Sequence, residues 1–320
     1  MRPHASKHRR EGFVLIIVLG MVLLLSVFLF SFNYTALTRL EAVESFQGRA
    51  QATSCAQAGL NIALAAVRDA NDLSANPRFE KLRTGETTFS IADGACSIRL
   101  VGESGRLNIN QLITKDGQPN RPRIDQFLRL IDLLNRQDPD APRIRYSLAP
   151  ALIDWLDRDT KVTRLSFISN DNQGVEDDRC KNRPMSVIEE LQSVAGVTPE
   201  IFERLSDLLT TSGDGSININ TAPQTVLECL SEQMDPTLAR MILQRREIKP
   251  FADIAELRDM PGMTDNIFLA IRNAITTTPK EEHYRVYAQG KVGEHVCEIE
   301  ALMRRNTQTG NVDIILYRES

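Results

Sequence analysis

The chain has 320 residues, 38 Lys+Arg against 42 Asp+Glu, a net charge of −4 and 42% apolar residues. That length can bury a sizeable core, and the composition excludes a disordered tail. A pI near 5.7 argues against nucleic acid as the bulk partner, because no excess of basic side chains is present to neutralise phosphates.

The first twelve residues form a basic leader, with Arg2, Lys7, Arg9 and Arg10 against Glu11. An unbroken apolar run follows from Phe13 to Phe32, interrupted only by Gly20, Ser26 and Ser31. Twenty helical residues cover about 30 Å, the thickness of a bilayer core. The positive flank stays in the cytoplasm, which predicts a single-pass inner-membrane protein with its body in the periplasm. The junction Arg9-Arg10-Glu11-Gly12-Phe13 resembles a type IV prepilin leader. That resemblance implies cleavage after Gly12 by a membrane peptidase, leaving Phe13 as an N-methylated terminus. Position five of the mature chain is Ile17, where major pilins carry Glu. An unpaired carboxylate in hydrocarbon costs several kcal/mol, so its loss suits a subunit with no neighbour above it, as at a fibre tip.

From Asn33 to about Asp69 the Ala-rich, Pro-free sequence predicts continued helix, making a rod of about 55 residues. Residues 71–77 are a breaker segment. Thr87–Ile91 and Cys96–Val101 flank Asp93-Gly94 as a hairpin, and Tyr284–Gln289, Glu294–Arg304 and Val312–Arg318 alternate as strands. The expected architecture is α+β: a long N-terminal helix and an antiparallel sheet (residues 71–112 and 280–320), with a large all-helical domain (113–279) inserted between strands.

The insert contains a repeat. Ile188-Glu189-Glu190-Leu191, then Ala195-Gly196-Val197-Thr198 and Ile201-Phe202, match Ile254-Ala255-Glu256-Leu257, then Pro261-Gly262-Met263-Thr264 and Ile267-Phe268, at an offset of 66 residues. Upstream, Leu107-Asn108-Ile109-Asn110 matches Ile217-Asn218-Ile219-Asn220. Each unit reads as an Asn-x-Asn segment followed by a helix–Gly-turn–helix pair, at about 184–210 and 250–275. Such pairs resemble DNA-binding hairpins, but each turn has one glycine rather than two, and the neighbouring charges are mixed. A packing turn is expected, with Gly in the left-handed cap and Thr starting the next helix.

Enzyme motifs are missing: there is no G-x-S-x-G and no P-loop. His283 and His295 are expected at the surface or an edge, and Glu189-Glu190 and Glu281-Glu282 as solvated charge. The loop after Leu156 is rich in acids and amides, including Asp157, Asp159, Asp171, Glu176, Asp177 and Asp178. Hard cations such as Ca²⁺ take oxygen ligands of this kind, although no EF-hand spacing is present; composition leaves a metal site and a solvated loop equally open. The five cysteines fit no zinc pattern, and an extracytoplasmic setting permits a Cys180–Cys229 disulfide, with Cys55 and Cys297 as buried small side chains.

Taken in order, these segments resemble the minor pseudopilin K family of type II secretion. The resemblance rests on Gly12-Phe13, Ile17, Gly105 to Asn110, Leu152-Ile153-Asp154-Trp155-Leu156-Asp157, Gly174-Val175-Glu176-Asp177, Asn182-Arg183-Pro184-Met185 and Ser216 to Pro223. It implies a pilin-like fold and a tip complex with minor pseudopilins I and J, on a pseudopilus that pushes folded proteins through the outer-membrane secretin. It further implies the major pseudopilin, the prepilin peptidase and the inner-membrane secretion platform as partners, and no nucleic acid. It implies Ca²⁺ at Asp159, Glu176 and Asp177, with Asn182 as a further ligand. Only Asp178 to Lys181 separate the Glu-Asp pair from the Asn-x-Pro, a shorter stretch than the family's usual Tyr-rich one. A minor pilin of a related type IV pilus or competence system, and a membrane-anchored helix-hairpin-helix DNA-binding protein, are the alternative readings.

Overall fold

The computed structural model describes residues 8–68, 82, 85–91, 94–159, 161–166, 180–279 and 281–320. One helix, α1 (His8–Arg68), carries the end of the leader, the apolar run and the first segment of the body. At 61 residues it is about 90 Å long. It contains no proline, and several of its hydroxyls bond to the carbonyl one turn back. Ser26 donates to the Val22 carbonyl and Thr35 to the Ser31 carbonyl, each at 2.8 Å. The expected breaker at 71–77 and the Asp93 turn position lie outside the described residues.

Two strands follow, β1 (Thr87–Ile91) and β2 (Gly94–Gly102). The insert then contributes β3 (Leu107–Asn108), α2 (Arg121–Gln137), α3 (Leu148–Leu156), α4 (Pro199–Ser206), β4 (Leu209–Thr210) and β5 (Ile217–Asn218). It continues with α5 (Gln224–Cys229), α6 (Pro236–Ile248), α7 (Asp265–Ile271) and β6 (Ile275–Thr276). The chain closes with β7 (Glu281–Val292), β8 (His295–Asn306) and β9 (Val312–Glu319). An antiparallel sheet has the order β1-β2-β7-β8-β9, so the whole insert grows from between two hydrogen-bonded neighbours, β2 and β7.

Strand alternation sends one face of the sheet toward α1. Register aligns Cys96, Gly290 and Cys297 in one row, Ile98, Ala288 and Ile299 in the next, and Leu100, Val286 and Ala301 in a third. All these side chains are buried. Against them α1 sets Ala52, Ala56, Leu60, Ala63 and Val67, spaced three or four apart on one helix face. The small side chains let the helix approach very closely. A Cβ on Gly290 would overlap the Ala52 carbonyl oxygen and stand 3.0 Å from the Cys55 Cβ. Gly290 is therefore required by contact rather than by backbone angle.

The insert has a separate core, in which Phe127, Ile131, Leu152, Leu191, Leu227 and Leu257 are buried. It is helical except for two parallel two-residue pairs, β3 with β4 and β5 with β6. Residues 107–112, expected with the sheet, belong to this core instead, because β3 pairs with β4 inside the insert.

The repeat is a structural duplication. Asn110 donates its amide to the Met185 and Thr211 carbonyls and accepts from the Met185 N–H at 2.8 Å. Asn220 does the same with Phe251 and Thr277, accepting from the Phe251 N–H at 2.8 Å. The first helix of each hairpin is a 3-10 turn, Ile188–Ser193 and Ile254–Asp259. Gly196 and Gly262 then take φ of 89° and 87°. Thr198 and Thr264 cap α4 and α7, accepting from Ile201 and Ile267 N–H at 3.3 Å each. The expected left-handed glycine and threonine cap are both present.

Two expectations are corrected. His283 is buried in β7 rather than at the surface, because the insert's root covers that end of the strand. Glu189, Glu190 and Glu282 are not solvated charge: each is paired with a cationic side chain from another element or loop.

Gly290→Val should lower the unfolding free energy of the full chain in detergent by about 1–3 kcal/mol, since α1 must lift off the sheet to admit it. Gly85→Ala, where no atom lies within 4 Å, should leave the denaturation midpoint unchanged.

Candidate functional site

Three regions carry chemistry or contact potential. The first is the free half of α1. Every residue from Phe13 to Phe32 is exposed, in a window of mean hydropathy 3.2. Tyr34, Leu37, Leu40, Val43 and Phe46 extend the exposed apolar surface beyond it. A surface this apolar is stable only in lipid or against other apolar helices. Gly12 and Phe13, the expected cleavage pair, lie inside α1. Gly12 is the weak point there, because glycine costs about 1 kcal/mol in a helix interior relative to alanine.

The second region is a buried charge cluster at the root of the insert. Glu103 directly follows β2, and its N–H donates to the His283 carbonyl on β7 at 2.8 Å. Its carboxylate takes Arg285 Nε and Arg106, each at 3.1 Å. Arg285 also reaches Glu300 on β8 and Glu189 of the insert, the latter at 3.4 Å. Arg106 in turn donates to the Ser206 carbonyl at the end of α4. Burial opposes the charge on Arg285, but Glu103 and Glu300 outweigh it and raise its pKa above the ordinary arginine value. These charges thus tie sheet and insert together rather than forming a reactive centre.

The third region is the acidic loop. Asp157 caps the C-terminus of α3, donating its N–H to the Ile153 carbonyl at 2.8 Å. The Arg183 N–H donates to the Trp155 carbonyl at 3.3 Å, which brings the Asn182 segment to the same end of α3. Asn182 is the non-glycine residue with positive φ, 51°, among the described residues. Asp157 Oδ1 and Asn182 Oδ1 are both buried without a hydrogen-bond partner. Orphaned acceptors of this kind are rare and call for an explanation. Oxygen donors of a carboxylate and a carboxamide fit a hard cation in kind. Asp159 is exposed, and its Oδ1 accepts from the Lys161 N–H at 2.8 Å. Among the described residues no three His, Cys, Asp or Glu converge as a metal cluster. Glu176 and Asp177 lie outside the described residues. Sequence reasoning placed Asp159 in the ligand set and left Asp157 out, since nothing in the local pattern separates a buried helix cap from the exposed acid two residues on.

Cys180 and Cys229, the pair expected as a disulfide, occupy different settings. Cys229 is enclosed in the insert's core, where its thiol donates to the Val226 carbonyl at 3.1 Å, and burial pushes its pKa up to about 12. Cys180 is half-buried beside the acidic loop.

Burial, then Asp159 and Asp154, push the Asp157 pKa up to about 6, against about 3.9 in an unfolded chain. Folding therefore takes up a proton at this site. The stabilisation is complete below about pH 4 and is lost as pH rises through about 6. In chelator, limited proteolysis of the full chain near the end of α3 should accelerate across that window. Asp157→Asn should abolish the acceleration, and a divalent cation at neutral pH should slow cleavage of the parent chain only.

Two family models described as "Type II secretion system (T2SS), protein K" match residues 105–213 and 217–278. Together they cover more than half of the chain, and each begins at or just ahead of one Asn-x-Asn unit. No curated protein matches the sequence significantly. Among solved structures, a chain of the GspK–GspI–GspJ complex from the type 2 secretion system of enterotoxigenic Escherichia coli is similar at 20% identity and a TM-score of 0.61. The match covers 89% of this chain and 99% of that one. The likeness extends the shared fold beyond the insert to the sheet and the long helix, and with the two family models it establishes that the chain belongs to the type II secretion protein K family of minor pseudopilins.

Proposed function

We propose that the chain is the tip subunit of a periplasmic pseudopilus, assembled with minor pseudopilins I and J and serving to start or cap the fibre that moves folded proteins through the outer-membrane secretin. The observation that carries this reading is the division of α1. Its first half is exposed apolar surface, and its second half is bonded tightly to the body. Such a helix can wait in the inner membrane as a single-pass anchor and leave it by exchanging lipid for the helices of neighbouring subunits, the major pseudopilin among them. The insert adds bulk at the root of β2 and β7, which opposes stacking of a further subunit above it. Ile17 removes the carboxylate that would need a neighbour's terminal amine.

In this reading the prepilin peptidase cuts between Gly12 and Phe13, and the inner-membrane platform receives the mature subunit. The acidic loop binds Ca²⁺ through Asp157 and Asn182, with Asp159, Glu176 and Asp177 as the remaining oxygen donors. The supporting observations are the two orphaned oxygens and the raised Asp157 carboxyl. The ion supplies the positive charge that lets this carboxylate ionise while buried, and it ties the chain leaving α3 to the chain returning at Asn182.

Mass analysis of the membrane-extracted protein should find an N-terminus at Phe13; a chain still beginning at Met1 removes the fibre account. Ile17→Glu should leave secretion largely intact, because the bulk of the insert still blocks stacking. Loss of secretion in that variant would give the terminal charge, not the bulk, the deciding role.

A further inference from the structure

The seam between α1 and the sheet holds Cys55, Cys96 and Cys297, all buried. They meet around Gly290. Cys96 and Cys297 are its register partners on β2 and β8. Cys55 stands above it, with its Cβ 3.0 Å from where a Gly290 Cβ would be. Adjacent strands are about 5 Å apart. Each strand cysteine is therefore one strand spacing from the residue beneath Cys55, which is on the scale of the Cα separations that disulfides span.

Side-chain direction chooses between the two. The Cys55 sulfur lies 3.0 Å from the Cβ position of Gly94, which precedes Cys96 by two residues on the same face of β2. The Cys96 sulfur in turn packs against Gly59, one helical turn beyond Cys55. Cys297 turns away, its sulfur 3.9 Å from Glu319 Oε1 on β9. Cys55 thus leans toward β2 and away from β8.

We propose that Cys55 and Cys96 are joined by a disulfide in the mature protein, stapling the stalk helix to β2. The proposal rests on the periplasmic placement given under Proposed function, since disulfides persist in oxidising compartments. The oxidant is a protein disulfide of the thiol–disulfide oxidoreductase class. One cysteine thiolate attacks it to form a mixed disulfide, and the second displaces the oxidant's sulfur. The cysteines lose two electrons, and the oxidant leaves as a dithiol carrying both protons. Burial, then the neighbouring Cys55, push the Cys96 thiol up to about 11 in the packed seam. Exchange therefore precedes the docking of α1, while the thiols are still accessible. The bond makes the seam covalent at the point where pull on the stalk would separate helix from sheet.

The test alkylates the full membrane-extracted chain in denaturant without reductant and maps its peptides by mass spectrometry. The expected result is a linked Cys55–Cys96 peptide, with alkylation at Cys180, Cys229 and Cys297. In Cys96→Ser, Cys55 becomes alkylated, and in Cys55→Ser, Cys96 does. Linkage of Cys55 to Cys297, or of Cys96 to any cysteine but Cys55, overturns the proposal. A second arm refolds the purified, reduced chain in a glutathione redox buffer. Five alkylated cysteines in both arms overturn the pairing itself. Five in the extracted protein with a Cys55–Cys96 link after refolding uphold the geometry and overturn the periplasmic placement instead.

Discussion

The Glu103–Arg285 pair is the constraint on which the arrangement of the molecule rests. Both groups are buried: Arg285 is on β7 and Glu103 directly follows β2, the two strands between which the insert is let in. A buried ion pair is weak evidence for stability, but removing one partner of such a pair is strongly destabilising. The insert completes the pair's surroundings: Arg106 shares Glu103, and Glu189 shares Arg285. Arg106 and Glu189 meet the pair on the sheet only when the insert sits in one position. Orientation between two separate apolar cores, which hydrophobic burial alone leaves loosely specified, becomes fixed by direction-dependent hydrogen bonds.

The insert is built by using one device twice. In each copy an asparagine side chain bonds both backbone groups of the residue ahead of the hairpin, Met185 or Phe251, and a threonine beyond the hairpin, Thr211 or Thr277, donates to the carbonyl of the next residue, Ser186 or Ala252. This geometry needs particular residue types at particular offsets, so it leaves a trace in the sequence. Asn-x-Asn, the single glycine of the turn and the capping threonine are all readable there. The strands are readable for a similar reason, because one buried face enforces alternation along most of β8, with Leu302 at the bulge as the exception. The long helix is readable because an unbroken apolar run passes into an Ala-rich segment with no proline in either.

What the sequence does not disclose depends on pairs with no local pattern. Glu103 and Arg285 are 182 positions apart. Glu189 looks like any surface acid at the start of a helix until Arg285 is placed beneath it. Asp157 and Asp159 are equivalent by composition, and only the end of α3 makes one of them buried and the other exposed. The cysteines are the same case. Their positions in the sequence do not show that Cys229 lies enclosed in the insert's core, or that Cys55 and Cys96 share the seam between α1 and the sheet.

The length of α1 has a mechanical consequence. Anchor and body share one helix with no break among its 61 residues, so the molecule has no swivel between them. Whichever side of the stalk a neighbour grips also sets the compass bearing of the insert. Moving that grip by a single residue would swing the bearing by about 100°. Azimuth at the far end is thus chosen at the apolar end, by register alone.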